Sequence, residues 1–352
     1  MANPFVFLRR PSLEESWLFV PEELVRLLNE GGGVSVINEA DEDIHLESQA
    51  DLSEVVGIAN FSQRLERDEI DAAPKLKIIG GVFDNAGTGS ELSIKELEER
   101  GIAVVDATRA WAQSVAECAF GLALCALRSI PQWHCRIAAG EQLWVYQAHQ
   151  FCDNPNFVNG DLGEKKVGVM GLGQIGSRIA KWCIALGAEV CGFDPYLPDS
   201  AFEEWGVEKV DLDALVDRVD IVFVAIPPTP SARGILNRER IQRLRQGALV
   251  NIITRVHSVD MEALRERILA DELFGAFDVY DIEPLPIDDP LRNRENVVHT
   301  PHIAGRTKDT NLRVARLIAG EFLRAARGEE LQERLTSRDV EVRTTESPAN
   351  AG

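Results

Sequence analysis

No CxxC pair occurs among the six cysteines of this 352-residue chain (118, 125, 135, 152, 183 and 191). No Cys/His cluster has ligand spacing either, so no metal site is expected. Several of these cysteines fall on apolar helix or strand faces, where a free thiol behaves as a small hydrophobe. Unpaired thiols suit a reducing compartment, and the expected location is cytoplasmic. No apolar run is expected to reach the roughly 20 residues of a bilayer-spanning helix. The opening MANPFVFLRRP sets only a few apolar residues before two arginines, so no secretory signal is expected there. Positive charge is scarce: 37 Lys and Arg stand against 57 Asp and Glu, a formal net charge of −20. A phosphate backbone or an anionic bilayer would be repelled, so neither nucleic acid nor membrane is an expected partner. A small anionic substrate is not excluded, because it feels only the local field of its cleft. Internal repeats and low-complexity blocks are absent too.

What is present is an ordinary globular composition, 45% hydrophobic and 27% charged, in a chain long enough for about two cores. Its organising stretch is KVGVMGLGQIGSRIAKWCIALGAEVCGFD, from Lys166 to Asp194. An apolar run (Val167 to Met170) reads as a buried parallel strand, and a helical pattern follows the turn Gly171-Leu-Gly173-Gln174-Ile175-Gly176. A second apolar run then ends on Asp194. In such a unit Gly171 allows a tight turn, Gly173 admits a pyrophosphate onto bare backbone, and Gly176 lets the helix lie close to the strand. The helix start offers unpaired N–H groups and the positive end of its dipole to phosphates. Asp194 would accept from both ribose hydroxyls and repel a 2′-phosphate, so NAD is expected rather than NADP.

Strands and helices alternate on both sides of this unit, which predicts an α/β protein of two doubly wound parallel-sheet domains. Strands are expected at Phe5–Leu8, Val34–Ile37, Val55–Ala59, Leu76–Gly80 and Ile102–Val105. After Asp194 they are expected at Ile221–Ala225, Leu249–Ile253, Gly275–Val279 and Val297–Val298. The small apolar residues of Ser114–Arg128 predict a buried helix, between domains or in a subunit interface. The aromatic stretch from Gly140 to Asn159 reads as a long loop or arm. The expected division is a smaller flavodoxin-like substrate domain (1–108, rejoined by a helix within 303–333) and a Rossmann domain (109–302). A polar, partly disordered tail (334–352) follows.

Ligands lie outside the carboxyl ends of the strands in such sheets. Arg255, Asp278, Glu283 and His302 all stand at or just beyond strand ends. Alone, the arginine reads as a surface charge, the histidine as a structural group and the glutamate before proline as a turn residue; their common placement makes them candidates.

The pieces GLGQIG with FDPYLP, GALVNIITRVHSVD, GAFDVYDIEPLP and VVHTPHIAG resemble the NAD-dependent D-2-hydroxyacid dehydrogenase family. PKLKIIG, RGIAVVDAT and SVAECAFGLALCALRSIP resemble it as well, so the likeness runs to about Gly328. It implies an oxidoreductase passing a hydride between nicotinamide C4 and C2 of a D-2-hydroxy or 2-oxo acid. Arg255 would grip the substrate carboxylate, His302 would be the acid–base group, and Glu283 would orient that imidazole and favour its charged form. Asp278 would hold the nicotinamide carboxamide. Gly171, Gly173, Gln174, Ile175, Gly176, Asp194, Pro227, Thr254 and Gly305 complete the implied NAD contacts. Asn60 and the backbone of Gly87, Thr88 and Gly89 would join Arg255 in binding substrate.

Three departures from the family pattern stand out. Glu91 replaces an aspartate after the glycine loop, Ala225-Ile226-Pro227 lacks the histidine that many relatives carry before the proline, and Val256-His257 replaces small residues. His257 is expected to be a solvent-facing loop histidine. Two alternatives remain open: an NAD-sensing, non-enzymatic protein resembling the C-terminal-binding corepressors, and a dehydrogenase of another small acid. Formate dehydrogenases fit less well, since they resemble this chain less and carry glutamine where Glu283 stands. A homodimer is expected, because the apolar helix and the Trp144 arm need cover. The active site is expected in an interdomain cleft, with substrate choice set by the glycine loop, Asn60, Ser62 and that arm.

Overall fold

The structure, a computed structural model, describes residues 3–9, 17–38, 46, 49–61, 64–83, 87–142 and 154–344. The chain divides into two compact units, Met1–Trp111 with Arg306–Glu346, and Ala112–Gly305.

In the first unit β1 (Phe5–Arg9), β2 (Val34–Asn38), β3 (Gly57–Asn60), β4 (Ile78–Gly81) and β5 (Ala103–Asp106) form a parallel sheet. Its order, β2-β1-β3-β4-β5, is that of a flavodoxin-like fold. Alternate side chains explain why: Phe5 and Phe7 enter one core, Val6 and Leu8 the other, so both faces must be covered. The helix Lys308–Arg327 covers the Phe5 face, with Val314, Ala315, Ile318, Ala319 and Phe322 buried at helical spacing. Gly57 and Gly80 make room for it, since a Cβ at either would stand 2.7 Å from the Phe322 ring. The chain therefore returns to its first unit at the end.

The segment taken as a polar tail from 334 is corrected in part. Leu335 is buried and its N–H donates to Val104 O at 2.7 Å. Ser337–Thr344 is a helix anchored by Ser337 on Glu98. Two apolar residues, Leu335 and Val340, pack on the core beside it, a signal too small to read from composition. Residues 345–352 lie outside the described residues, as do Ser62, Cys152 and the 143–153 part of the aromatic arm.

In the second unit β6 (Lys166–Met170), β7 (Glu189–Phe193), β8 (Glu208–Lys209), β9 (Ile221–Val224), β10 (Leu249–Ile252), β11 (Phe274–Phe277) and β12 (Val297–His299) form a parallel sheet. The order β12-β11-β10-β9-β6-β7-β8 reverses direction between β6 and β9, the point at which such sheets bind ligands. Short helices at Arg67–Asp71 and Asp199–Trp205, and a longer one at Ile130–Ala138, were not expected.

The expectation of no membrane-length run is also corrected. Ala107–Leu127 is long and apolar enough, by length and composition, with a mean hydropathy of 1.4, but 56% of that window is buried in the fold. The helix Ala112–Leu127 lays Ala116, Ala119, Leu122, Ala123 and Ala126 against its own sheet. Asn251 of β10 donates to Ala119 O at 2.9 Å. Small residues allow that close approach, and they are what made the run look uniformly apolar.

Candidate active site

β6 delivers the glycine turn to the switch point. Gly171 has φ +84°, its N–H donates to Phe193 O at 2.8 Å, and a Cβ there would press on Ala225 O at 2.9 Å. A Cβ at Gly176 would collide with Gly171 O, so the helix Gly176–Ala185 can sit down on the turn only as glycine. At Gly173 nothing lies within 4 Å of the same position, leaving the backbone bare. These three environments fit a dinucleotide pyrophosphate. Asp194 follows β7 directly and accepts from Leu172 N and Tyr196 N, both at 3.0 Å. It thus holds the turn in shape while leaving lone pairs for hydroxyl donors. Arg178, which sequence reasoning passed over, donates to Gln174 Oε1 (3.0 Å) and Gln113 Oε1 (3.2 Å), placing a cation beside the turn. Its four-residue spacing from Gln174 at a helix start was the available signal.

Next along the strand ends, Thr254 follows β10 and donates to Ile226 O at 2.7 Å, tying that loop to the one carrying Pro227. Arg255 is exposed; its Nη1 donates to Thr254 O at 2.8 Å and stands 3.5 Å from His302 Nε2. His302 itself has φ +54°, and its Nδ1 lies 2.7 Å from Glu283 Oε2. Their side chains are 37% and 35% exposed, open enough for a small molecule to reach. Glu283 Oε1 accepts from Tyr280 N at 2.9 Å. Burial works to raise the Glu283 carboxyl, but the His302 hydrogen bond, the Tyr280 N–H and the charges of His302 and Arg255 outweigh it, leaving it below the usual 4.5. A guanidinium, an imidazole and a carboxylate therefore meet at the carboxyl edge of one sheet.

Two candidates lie deeper than expected. Asp278 is 0% exposed, and its oxygens accept from Thr300 Oγ1 (2.7 Å), Ile303 N (2.9 Å) and Ala304 N (3.0 Å). Those donors flank His302 and run up to Gly305, so the carboxylate shapes the loop that carries the imidazole. His257 is not solvent-facing. Its two ring nitrogens are buried, and burial, reinforced by Arg233 and Arg255 and opposed by the backbone of Thr229, holds the imidazole below its usual 6.5.

The glycine loop belongs to the first unit. Asn60, at the end of β3, donates to Gly89 O at 2.8 Å, and Gly89 has φ +68°. Thr88 Oγ1 turns inward onto Leu92 O (2.8 Å), while Arg64 Nε grips Ser90 O (2.8 Å). Glu91 accepts from Arg67 N at 3.3 Å, so this acid serves the neighbouring helix. Among the described residues, the N–H groups of Gly87, Thr88 and Gly89 meet no acceptor, as a cradle for a carboxylate requires.

Other candidates recede. Among the described residues no group of three His, Cys, Asp or Glu could hold a metal. Burial pushes the Cys183 thiol up to about 12 and those of Cys118 and Cys191 to about 11, so they are poor nucleophiles. A cavity of about 410 Å³ near Trp133, Arg136, Phe157 and Asn296 lies at the amino ends of the strands and holds none of the residues above.

Residues 120–304 match the family described as "D-isomer specific 2-hydroxyacid dehydrogenase, NAD binding domain". The chain belongs to the D-isomer specific 2-hydroxyacid dehydrogenase family. It carries that family's NAD-binding domain, so its cofactor is NAD. It is 34% identical to a D-3-phosphoglycerate dehydrogenase of Methanocaldococcus jannaschii over 88% of this chain and 56% of that one. A hydroxypyruvate reductase of Thermotoga maritima is 32% identical over 73% of this chain and 80% of that one. The chain thus spans about half the length of the phosphoglycerate dehydrogenases it matches. In fold it is similar to a phosphoglycerate oxidoreductase from Rhizobium etli, with TM-score 0.79, 24% identity, and 94% and 98% of the two chains covered.

Proposed function

We propose that this dehydrogenase-family chain reduces a small 2-oxo acid to the D-2-hydroxy acid, and oxidises it in reverse, with NAD as coenzyme. The observation that carries the reading is the 2.7 Å contact between His302 Nδ1 and Glu283 Oε2 with Arg255 Nη1 beside the other ring nitrogen. A histidine whose Nδ1–H is held by a carboxylate exchanges protons at Nε2. That nitrogen would hand a proton to the substrate carbonyl oxygen during reduction and take it back from the hydroxyl in oxidation. The guanidinium presents its remaining donors as a planar fork that a carboxylate accepts, and it also polarises the C2 oxygen. Bound NADH supplies the hydride. The bare N–H groups at Gly87, Thr88 and Gly89 suit the same carboxylate class.

The test is NADH oxidation against a panel of 2-oxo acids: glyoxylate, hydroxypyruvate, pyruvate, and branched or sugar-derived acids. Turnover abolished by Arg255→Ala supports the reading. NADH binding without turnover of any of them overturns it in favour of an NAD-sensing protein. The relatives named above point to three-carbon acids as the first to try.

A homodimer forms part of the proposal. None of the nine residues of the helix Ile130–Ala138 is buried, and Ile130 and Ile137 are 51% and 52% exposed, an apolar face that a second copy would cover. A monomer mass in sedimentation at micromolar concentration would refute it. The five described cysteines are free thiols, which supports a cytoplasmic setting.

A further inference from the structure

Glu283 sits in the middle of a loop that leaves β11 after Phe277 and returns to β12 at Val297. A carboxylate on such a loop aligns an imidazole only if the loop is held at both ends. His299 is placed to do that. It is the last residue of β12, in register with Phe277, so its ring stands beside the start of the loop. One nitrogen, Nδ1, is 3.0 Å from Tyr280 Oη; the other, Nε2, is 2.9 Å from Leu291 O. The rings of Tyr280 and His299 lie 6.0 Å apart at 27°. Leu291 is the second residue of the short turn Pro290–Asn293 toward the far end of the loop, capped by Asp289 Oδ1 on the Leu291 N–H at 2.9 Å.

The chemistry of the partners fixes the protons. A backbone carbonyl only accepts, so Nε2 of His299 carries hydrogen and Nδ1 is bare. The bare nitrogen, at 3.0 Å, accepts a hydrogen bond from the Tyr280 hydroxyl in preference to Phe277 O, which lies at 3.3 Å. Both groups are kept in that state by their surroundings. Burial, aided by Arg292 against the opposing Leu291 carbonyl and Asp289, lowers His299 below the usual 6.5 and keeps it neutral. Burial, with Asp278, Glu283 and Asp289 adding and Arg292 opposing, pushes the Tyr280 phenol up, so it keeps its proton. The backbone N–H of this same Tyr280 is the donor that holds Glu283 Oε1. A continuous chain therefore runs from Leu291 O through His299, Tyr280 and Glu283 to His302.

We propose that His299 and Tyr280 are positioning residues for the His302–Glu283 pair, one imidazole fastening both ends of the loop that carries the carboxylate. The proposal rests on the dehydrogenase reading for its kinetic consequence but not for its geometry. A second fastener limits the effect: Arg265 joins Asp281 (2.6 Å) and Asp289 (2.8 Å) on the same loop. Loosening the inner fastener should thus misalign Glu283 rather than release the loop.

The experiment compares the parent chain with Tyr280→Phe, His299→Leu and His299→Gln. Tyr280→Phe deletes one oxygen and keeps the ring, so it folds even if His299→Leu does not. Histidine-labelled protein is read by NMR for the His302 Nδ1–H proton and for the tautomer of His299. In the parent, His299 shows hydrogen on Nε2 alone, and His302 gives a downfield Nδ1–H resonance. In Tyr280→Phe and His299→Leu that resonance broadens or moves upfield. Their kcat falls about three- to tenfold, a modest share of what a positioned acid–base group contributes, while KM and NADH affinity hold. His299→Gln restores both signals, because its amide can donate to Leu291 O while accepting from Tyr280. Folded variants with the parent's His302 resonance and kcat overturn the proposal, as does a His299 protonated on Nδ1. An inactive parent with these resonances as described would overturn the dehydrogenase reading and leave this one standing.

Discussion

Asp278→Asn separates two roles for the buried carboxylate at the end of β11. In the structure its oxygens take three hydrogen bonds, from Thr300 Oγ1, Ile303 N and Ala304 N, at 2.7 to 3.0 Å. An asparagine of the same shape keeps one oxygen, which serves Thr300 and Ile303 best. Its NH2 then faces the Ala304 N–H, donor against donor. One charge-assisted bond is lost, worth about 1.5–3 kcal/mol, and a buried N–H is left unsatisfied. Because the residue is 0% exposed, water cannot replace the partner. The expected loss of stability is therefore about 2–4 kcal/mol, larger than most single substitutions produce. The assay is urea unfolding with and without NADH, alongside kcat for the best 2-oxo acid. The account predicts a lower urea midpoint in both conditions. It also predicts a fall in kcat, since the donors flank His302, with NADH affinity nearly unchanged. An unaltered midpoint with NADH binding weakened tenfold or more would show that Asp278 meets the coenzyme instead, and the positioning role would be wrong.

Other consequences are open to direct measurement. His302→Ala should lower kcat by about two to four powers of ten while the circular dichroism spectrum is preserved; near-normal rates would remove it from the mechanism. Arg255→Lys keeps the charge but loses the planar fork, so KM for the 2-oxo acid should rise and kcat fall together; a purely electrostatic role would leave both near the parent values. Asp194→Ala should reduce the preference for NADH over NADPH in initial rates, and equal discrimination would count against its assignment. Stability should fall in two stages on acidification. His257 and His299 are both held below 6.5, so the folded state resists their protonation and thermal midpoints should drop as pH falls through that value. Glu283, held below 4.5, contributes stability above that pH that is lost further down, as pH falls through its lowered value. A flat thermal midpoint between about pH 7 and 5 would contradict the first stage.

Much of this was legible in the chain because parallel strands buried on both faces leave plain apolar runs. The strands at Lys166–Met170 and Ile221–Val224 could be read within a residue or two for that reason. Arg255, Glu283 and His302 were legible because strand ends point at ligands, and their positions follow directly from the strand assignments. The same rule says less at Asp278. A strand-end carboxylate looks ligand-facing until the 300–304 loop folds back over it, and that loop's path is a tertiary fact. His257 failed likewise, since a polar residue in a loop carries no mark of being half buried. The Tyr280–His299 pair is separated by 19 residues and joined only by the β11–β12 register. Helices such as Arg67–Asp71 are too short to show a period, and that one depends on a capping box at Glu66 and Glu69.

The most direct test of the central claim follows the hydride itself. With NADH carrying deuterium at the transferable position, the product of 2-oxo acid reduction is examined by chiral chromatography and mass spectrometry. The account predicts one deuterium on C2 of the D-2-hydroxy acid, and loss of that product when His302 is replaced by alanine. Unlabelled product, the L isomer, or equal labelling without the imidazole would contradict it.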